Sequence, residues 1–237
     1  MYLSIIIPLY NEENNIIEVL KKLNNLTLPS TVNQNEIIIV DDCSTDNSFK
    51  KVQEFITDKT NIFIFKHDKN KGKGAAVKTG FKRAKGDVFL IQDADLELSP
   101  NDIPYMINTM QNLGVEFING SRYLQGLIRP LSSYKRYLAN RLFTFTTSLL
   151  LNVKLTDMAC GYKLIHKNLL NQISLKENRF GFEAELIIKA LKIKKNNIAE
   201  VPVQYFPRNK GEGKKLKTID GLKIFWTIIK YGVFKFK

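Results

Sequence analysis

Short apolar runs alternate along the first half of the chain with segments whose apolar residues recur at helical spacing. Leu3 to Leu9 is followed by Ile16, Leu20 and Leu23, and Glu36 to Val40 by Phe49, Val52 and Ile56. Ile62 to Phe65 precedes a helix through Ala76 to Ala84. Val88 to Gln92 precedes one that Ser99 caps and Pro100 opens. Val115 to Asn119 reads as a further strand. Continuous apolar strands alternating with helices predict an α/β domain with a mainly parallel sheet covered on both faces. Ligands of such open sheets sit beyond the carboxyl ends of the strands, so the chemistry is expected there.

After Arg122 the rhythm changes. Ser133 to Leu151 carries Leu138, Leu142, Phe145 and Leu149 on one helical face; Gly161 to Ile165 reads as a strand, Phe182 to Lys194 as a helix and Ile198 to Tyr205 as a strand. The basic, glycine-containing stretch Arg208 to Lys217 reads as a mobile loop. The expected division is a single unit over residues 1–207, then a basic loop and amphipathic helix over 208–237.

Composition narrows the class. With 237 residues, 44% hydrophobic, the chain can bury a core in one large domain. Cys43 and Cys160 fit neither a disulfide framework nor paired zinc ligands, which favours a reducing cytoplasm. Met1 runs straight into Ile5, Ile6 and Ile7, so no signal peptide is expected. No window of about 18 uncharged apolar residues exists, so any membrane contact is expected to be peripheral. The net charge is +13, and from Arg208 to Lys237 nine Lys or Arg stand against Glu212 and Asp220, a net of +7. That concentration points to a local anionic partner. Nucleic acid is not the expected one: acidic strand ends would repel its backbone, and no recognition motif is present.

Polar residues cluster where three strands end: Pro8, Tyr10, Asn11 and Glu12 after the first; Asp41, Asp42, Ser44 and Asp46 after the second; Asp93, Asp95 and Glu97 after the fourth. Residues two apart in an extended chain project to one side, so Asp93, Asp95 and Glu97 are expected to converge. Hard cations such as Mg²⁺ or Mn²⁺ take carboxylate, water and phosphate oxygens, which suits a bound diphosphate. An acidic turn that merely caps the next helix needs one short polar residue, not three acids. Thr45 or Asp46 can cap the helix containing Phe49, but capping leaves Asp42 unexplained; at a strand end it can accept hydrogen bonds from a base or ribose. Gly72-Lys73-Gly74 matches neither GxxxxGK[ST] nor GxGxxG, and its glycines are expected to permit a tight turn and close packing of the Ala75, Ala76 helix on the sheet. His67 and His166 lack metal-ligand spacing and are expected as surface or loop residues.

Taken in order, PLYNEE at Pro8, VDDCSTD at Val40, NKGKGAAVKTGF at Asn70, QDADLE at Gln92, GSRY at Gly120 and RNKGEGKK at Arg208 resemble family 2 glycosyltransferases. Within that family they are most similar to dolichol-phosphate-mannose-synthase-like and polyprenyl-phosphate enzymes, over nearly the whole chain. The resemblance implies the A-type glycosyltransferase fold, a Rossmann-like sheet binding a nucleoside diphosphate sugar (UDP or GDP) and a divalent cation. By matching motif, Pro8, Tyr10, Glu12, Val40 and Asp42 would hold the nucleoside, and Asp93 and Ala94 would lie along ribose and diphosphate. Asp95 and Glu97 would hold Mg²⁺ or Mn²⁺; Glu97 stands where mannose synthases usually carry Gln. Arg122, Arg208 and Lys214 resemble the family's phosphate-binding cations.

The implied reaction is an inverting in-line displacement that expels a nucleoside diphosphate, with Asp95 and Arg208 countering the leaving group's charge. A phosphate acceptor needs no strong base; for a hydroxyl acceptor Asp157 is the best candidate base, with a structural role as the equal alternative. The processive-synthase signature QxxRW is absent. Ile219, Leu222, Phe225, Trp226, Ile229 and Phe234, interleaved with Lys223, Lys230, Lys235 and Lys237, suit an anionic membrane surface or docking on the body of the enzyme. A polyprenyl phosphate acceptor at the cytoplasmic membrane face is therefore expected, with room for a membrane-protein partner. The chief alternative is transfer to a glycan or protein hydroxyl, and a non-catalytic nucleotide-sugar-binding protein is a further rival.

Overall fold

β-Branched residues buried on both faces make the centre of the sheet. In β1 (Tyr2–Leu9) Ile5 and Ile7 pack toward one helical layer and Ile6 toward the other, which is the environment continuous apolar strands require. The computed structural model describes residues 1–124, 133–195, 197–208 and 218–234. After β1 come α1 (Ile16–Asn24), β2 (Gln34–Asp41), α2 (Ser48–Phe55), β3 (Ile62–Lys66), α3 (Lys73–Arg83) and β4 (Val88–Ile91). A 3₁₀ turn, Pro100–Asp102, then opens α4 (Ile103–Leu113), with Ser99 Oγ accepting from the Asn101 N–H at 3.3 Å as its sequence predicts. β5 (Phe117–Ser121), α5 (Tyr134–Leu151), β6 (Lys163–His166), α6 (Lys167–Leu170), α7 (Gly181–Lys194), β7 (Ala199–Pro202) and α8 (Thr218–Val233) complete the chain.

The seven strands run in the order β3-β2-β1-β4-β6-β5-β7. All pairings are parallel except those of β6, which is antiparallel to β4 and β5. The mainly parallel sheet expected from the sequence is therefore present, and the reversal of β6 brings the turn before it, Asp157 to Tyr162, to the same edge as the end of β4. One helical layer is formed by α1, α2 and α4, through Val19, Leu20, Val52, Met106 and Ile107. The other is formed by α3, α7 and α8, through Ala76, Val77, Phe182, Ile187 and Ile228. Each of these side chains larger than alanine contributes about 1.5–3 kcal/mol on removal from water.

Helix α8 packs against α7 and α5. Ile224, Thr227, Ile228 and Tyr231 are buried in that contact, while Leu222 and Trp226 face outward. Among the described residues no helix is long and apolar enough to cross a membrane.

Candidate functional site

The loops after β1 and β2 are laced together. The Asn11 N–H donates to Ser44 Oγ at 3.0 Å, the Glu12 N–H to Ser48 Oγ at 2.8 Å, and the Thr45 N–H to Asn11 Oδ1 at 2.8 Å. Asp46 accepts from the N–H groups of both Ser48 and Glu13, so it serves the start of α2 and the first loop together. Pro8 and Val40 are partners in the β1–β2 register, with Val40 buried, and Tyr10 half-buried just beyond the strand end. This lacing holds Glu12 at the rim, nearly buried and pointing at Arg208.

Around Arg208 the sequence's acidic cluster takes shape. Its Nη2 donates to Asp95 Oδ2 at 2.7 Å, its Nη1 to both Glu12 oxygens at 3.1 Å, and its backbone N–H to Glu97 Oε1 at 3.0 Å. Nε lies 3.7 Å from the same Glu97 oxygen, and the Tyr205 hydroxyl donates to Glu97 Oε2 at 3.4 Å. Burial first, and the Asp93 charge next, push the Asp95 carboxyl up to about 6 against the pull of Arg208. Removing these carboxylates from water is tolerable because a guanidinium stands between them.

Convergence of these acids does not come from strand alternation. β4 ends at Ile91, and the chain beyond it turns, with Leu96 at φ 55° and Asp95 Oδ1 accepting from the Glu97 N–H at 3.1 Å. Asp95 and Glu97 fold around one cation, whereas Asp93 leaves the expected trio. Asp93 pairs with Lys73 at 2.6 Å, which in turn reaches Glu183 at 2.5 Å. Burial alone would lower the Lys73 pKa, but the two carboxylates raise it on balance. Among the described residues no three His, Cys, Asp or Glu side chains converge as a ready-made metal cage. The donor set nonetheless fits a hard cation: two carboxylates already share one positive centre, leaving phosphate oxygens to complete the shell.

Asp42 is buried beneath the next loop. Its oxygens accept from the Lys71 and Gly72 N–H groups at 2.8 and 2.7 Å, and Oδ1 lies 2.8 Å from His67 Nδ1. His67 is accordingly not a surface residue; its Nε2 meets Thr79 Oγ1 at 2.9 Å, because α3 closes over it. His166 is at the start of α6, where Nδ1 accepts from the Asn168 N–H. Gly72 has φ 99°, and a Cβ on Gly74 would stand 2.6 Å from the Phe182 Cβ. The glycines thus make the tight turn their sequence predicts, but the close approach at Gly74 is of α3 to α7 and not to the sheet.

Asp157 is a correction. It is completely buried, and Arg122 grips it through Nε at 2.7 Å, Nη2 at 3.0 Å and the backbone N–H at 3.0 Å, with Asn140 Nδ2 adding a fourth bond at 2.9 Å. Burial would raise its pKa, but Arg122 and Asn140 hold it below the usual carboxylate range. A base must be reachable and must want the proton; Asp157 is neither. Arg122, expected as a phosphate ligand, is committed to Asp157 and stacks on the Tyr123 and Tyr205 rings at 5.6 and 5.2 Å. Ala94 is buried in the turn between Asp93 and Asp95. Lys214 lies outside the described residues.

Lys73, Glu183 and Tyr205 join the site without having been assigned to it. Lys73 was visible only as part of a glycine-lysine run, Tyr205 only as a strand end, and Glu183 carries no local signal. Gly161 is a fourth: a Cβ there would stand 2.3 Å from Asp93 Oδ2. Gly161→Ala is expected to displace the Asp93 carboxylate and lower kcat/KM by about a hundredfold, the cost of misplacing a group by roughly an ångström. Steady-state kinetics check this; activity within twofold of the parent would show that Asp93 has room to move.

Comparisons with known proteins point to one family and one fold. The family model described as Glycosyl transferase family 2 matches residues 4–174. The chain is 32% identical over 222 residues to a dolichol-phosphate mannosyltransferase of Pyrococcus furiosus, covering 92% of this chain and spanning 61% of that relative's length. It is 31% identical over 242 residues to a UDP-N-acetylglucosamine–dolichyl-phosphate N-acetylglucosaminyltransferase of Methanococcus voltae, covering 95% of this chain and 94% of the relative. In fold it is similar to glucosyl-3-phosphoglycerate synthase from Mycobacterium tuberculosis in complex with Mn²⁺, UDP and phosphoglyceric acid. The TM-score is 0.74 at 17% identity, over 98% of this chain and 78% of that one.

Proposed function

The chain belongs to glycosyl transferase family 2, and from that premise we propose that it transfers a sugar from a nucleoside diphosphate sugar, UDP or GDP, to a polyprenyl phosphate at the cytoplasmic face of a membrane. The observation that carries this is the gathering of Glu12, Asp95 and Glu97 around one positive group at the carboxyl edge of the sheet. The two curated relatives named for dolichyl-phosphate acceptors support the choice of acceptor. In this proposal residues 1–207 are the catalytic unit, and 208–237 its basic loop and membrane-proximal helix.

A Mg²⁺ or Mn²⁺ ion held by Asp95 and Glu97 would supply charge neutralisation for the departing diphosphate. The chain's own groups do the rest. Arg208, released from the carboxylates, donates to the diphosphate; Lys214 is proposed as a second cation toward it. Pro8 and Tyr10 wall the nucleoside, Val40 supports Pro8 from its buried place beside it in the sheet, and Asp42 shapes that wall by holding the Lys71–Gly72 turn. Asp93, steadied by Lys73 and Gly161, lies along the ribose and diphosphate with Ala94. Arg122, anchored by Asp157, keeps Tyr205 beside Glu97. An acceptor phosphate oxygen forms the new bond to the anomeric carbon as the bond to the diphosphate breaks from the opposite side, inverting the configuration. A phosphate monoester, with a second pKa near ~6, is already anionic and needs no base. The burial of Asp157 therefore favours a phosphate over a hydroxyl acceptor.

Incubating the chain with UDP- and GDP-sugars, Mn²⁺ and a polyprenyl phosphate is expected to give a sugar-labelled product that extracts into organic solvent, and excess chelator is expected to abolish it. Full transfer in chelator contradicts the cation assignment, and failure with every donor contradicts the proposal itself.

A further inference from the structure

Helix α5 is built inside out. Its buried positions are Asn140, Thr144 and Thr147, and each makes side-chain hydrogen bonds inward. Asn140 bonds Asp157 and the Tyr123 hydroxyl, Thr144 Oγ1 accepts from the Met158 N–H at 3.2 Å, and the Thr147 hydroxyl donates to Met158 Sδ at 3.6 Å. Its outer positions are Leu138, Leu142, Phe145 and Leu149, 49% to 70% exposed. A surface helix of a globular protein has the opposite arrangement, and an apolar stripe this long marks an interaction surface.

Helix α8 lies beside α5 and runs in the same direction. Phe143 meets Phe225 with ring centroids 6.4 Å apart, and Leu150 lies against Gly232. Given those contacts, helical spacing turns the outer positions of both helices the same way, so Leu222 and Trp226, 71% and 65% exposed, continue the apolar surface of α5. Its flanks are cationic. Lys135, Arg136 and Arg141 on α5 and Lys223 on α8 are all exposed, and α5 contains no Asp or Glu. Two copies of this face would set like charge against like. An apolar ridge with a Trp and flanking Lys and Arg instead matches the headgroup boundary of an anionic bilayer.

The face also adjoins the acid cluster. The Arg141 guanidinium lies 6.0 Å from the Tyr123 ring on which Arg122 stacks, and Arg122 covers Tyr205, the hydroxyl partner of Glu97. We propose that the joined outer faces of α5 and α8 seat the protein on an anionic bilayer, with the α5 ridge as the main inserting element. This deepens the proposed use of a lipid acceptor and rests on it for its purpose. Its test uses vesicles that contain no polyprenyl phosphate, so the two can fail separately.

Co-sedimentation is measured with phosphatidylcholine vesicles with and without phosphatidylglycerol. The parent chain is expected to pellet with the anionic vesicles. The double variant Leu142→Gln/Phe145→Gln is expected to partition about tenfold or more weakly, with its melting temperature and UDP-sugar binding unchanged because both side chains point outward. The proposal is overturned if the parent stays in the supernatant with anionic vesicles, or if the double variant pellets like the parent. It is equally overturned if light scattering shows a dimer of the parent that the variant breaks, since the face would then join two copies.

Discussion

Asp95→Ala is expected to lower kcat/KM about a thousandfold, the scale set by losing several kcal/mol of charge stabilisation on the leaving group. Its melting temperature is expected to stay within a few degrees of the parent's. The reason is the environment of the carboxyl, pushed up to about 6 chiefly by burial. A carboxyl whose folded pKa exceeds its unfolded value, ~3.9, binds its proton more readily in the native state. Its charged form therefore disfavours the fold as pH rises through that window and beyond it. Removing Asp95 at neutral pH takes away an unfavourable desolvation while Glu12 and Glu97 remain beside Arg208. Kinetics and a thermal melt on the same preparation check both halves; a large fall in melting temperature with modest loss of turnover would make Asp95 a structural residue.

Asp157→Ala is expected to do the reverse, with stability as the primary loss. It leaves the largely buried Arg122 guanidinium without its counter-ion and removes one of the two acceptors of Asn140 Nδ2, the Tyr123 hydroxyl remaining, a change that typically costs about 3–5 kcal/mol. At roughly 2–4 °C per kcal/mol for a chain of this size, the melting temperature should fall by about 6–20 °C. The pH dependence has a definite sign. Arg122 and Asn140 hold the Asp157 pKa below its ordinary value against burial. Its stabilisation is thus fully present above the usual carboxylate pKa of ~3.9 and is lost as pH falls through the lower folded value. The parent should lose more stability than Asp157→Ala in that acid window, so the gap between them narrows as pH falls. Parallel melting curves across that range would show that the ion pair contributes nothing.

These two aspartates separate what was legible from what was not. Asp95 follows β4 within an acidic string, and both its place at the carboxyl edge and its kinship with Glu97 could be read from the alternation of strands and helices. The geometry expected for it, three acids projecting from an extended chain, was wrong in its cause. Leu96 adopts a left-handed conformation, and the turn closes on Arg208, a residue more than a hundred positions away. Asp157 stood in a segment with no periodic signal, and its chemistry depends on Arg122 and Asn140, brought together by the antiparallel entry of β6 and the packing of α5. The strand itself could be read at Gly161 to Ile165, but its direction could not, because direction depends on which neighbours it pairs with.

Periodicity also found the apolar face of α5 correctly and gave no sign that it would lie outside. Spacing reports which residues share a face, whereas burial depends on what the rest of the molecule offers that face, and here it offers polar partners to the opposite one. The alternating elements, the mainly parallel sheet, the polar strand ends and membership of a family are each written in local pattern or in strings of adjacent residues. That Asp93 answers to Lys73, that Asp42 holds a loop, that Asp157 is sealed beneath Arg122 and that α5 turns Leu138, Leu142 and Leu149 to solvent emerge only once the chain is folded. Those outcomes are set by contacts between residues far apart in the chain, which a local pattern does not encode.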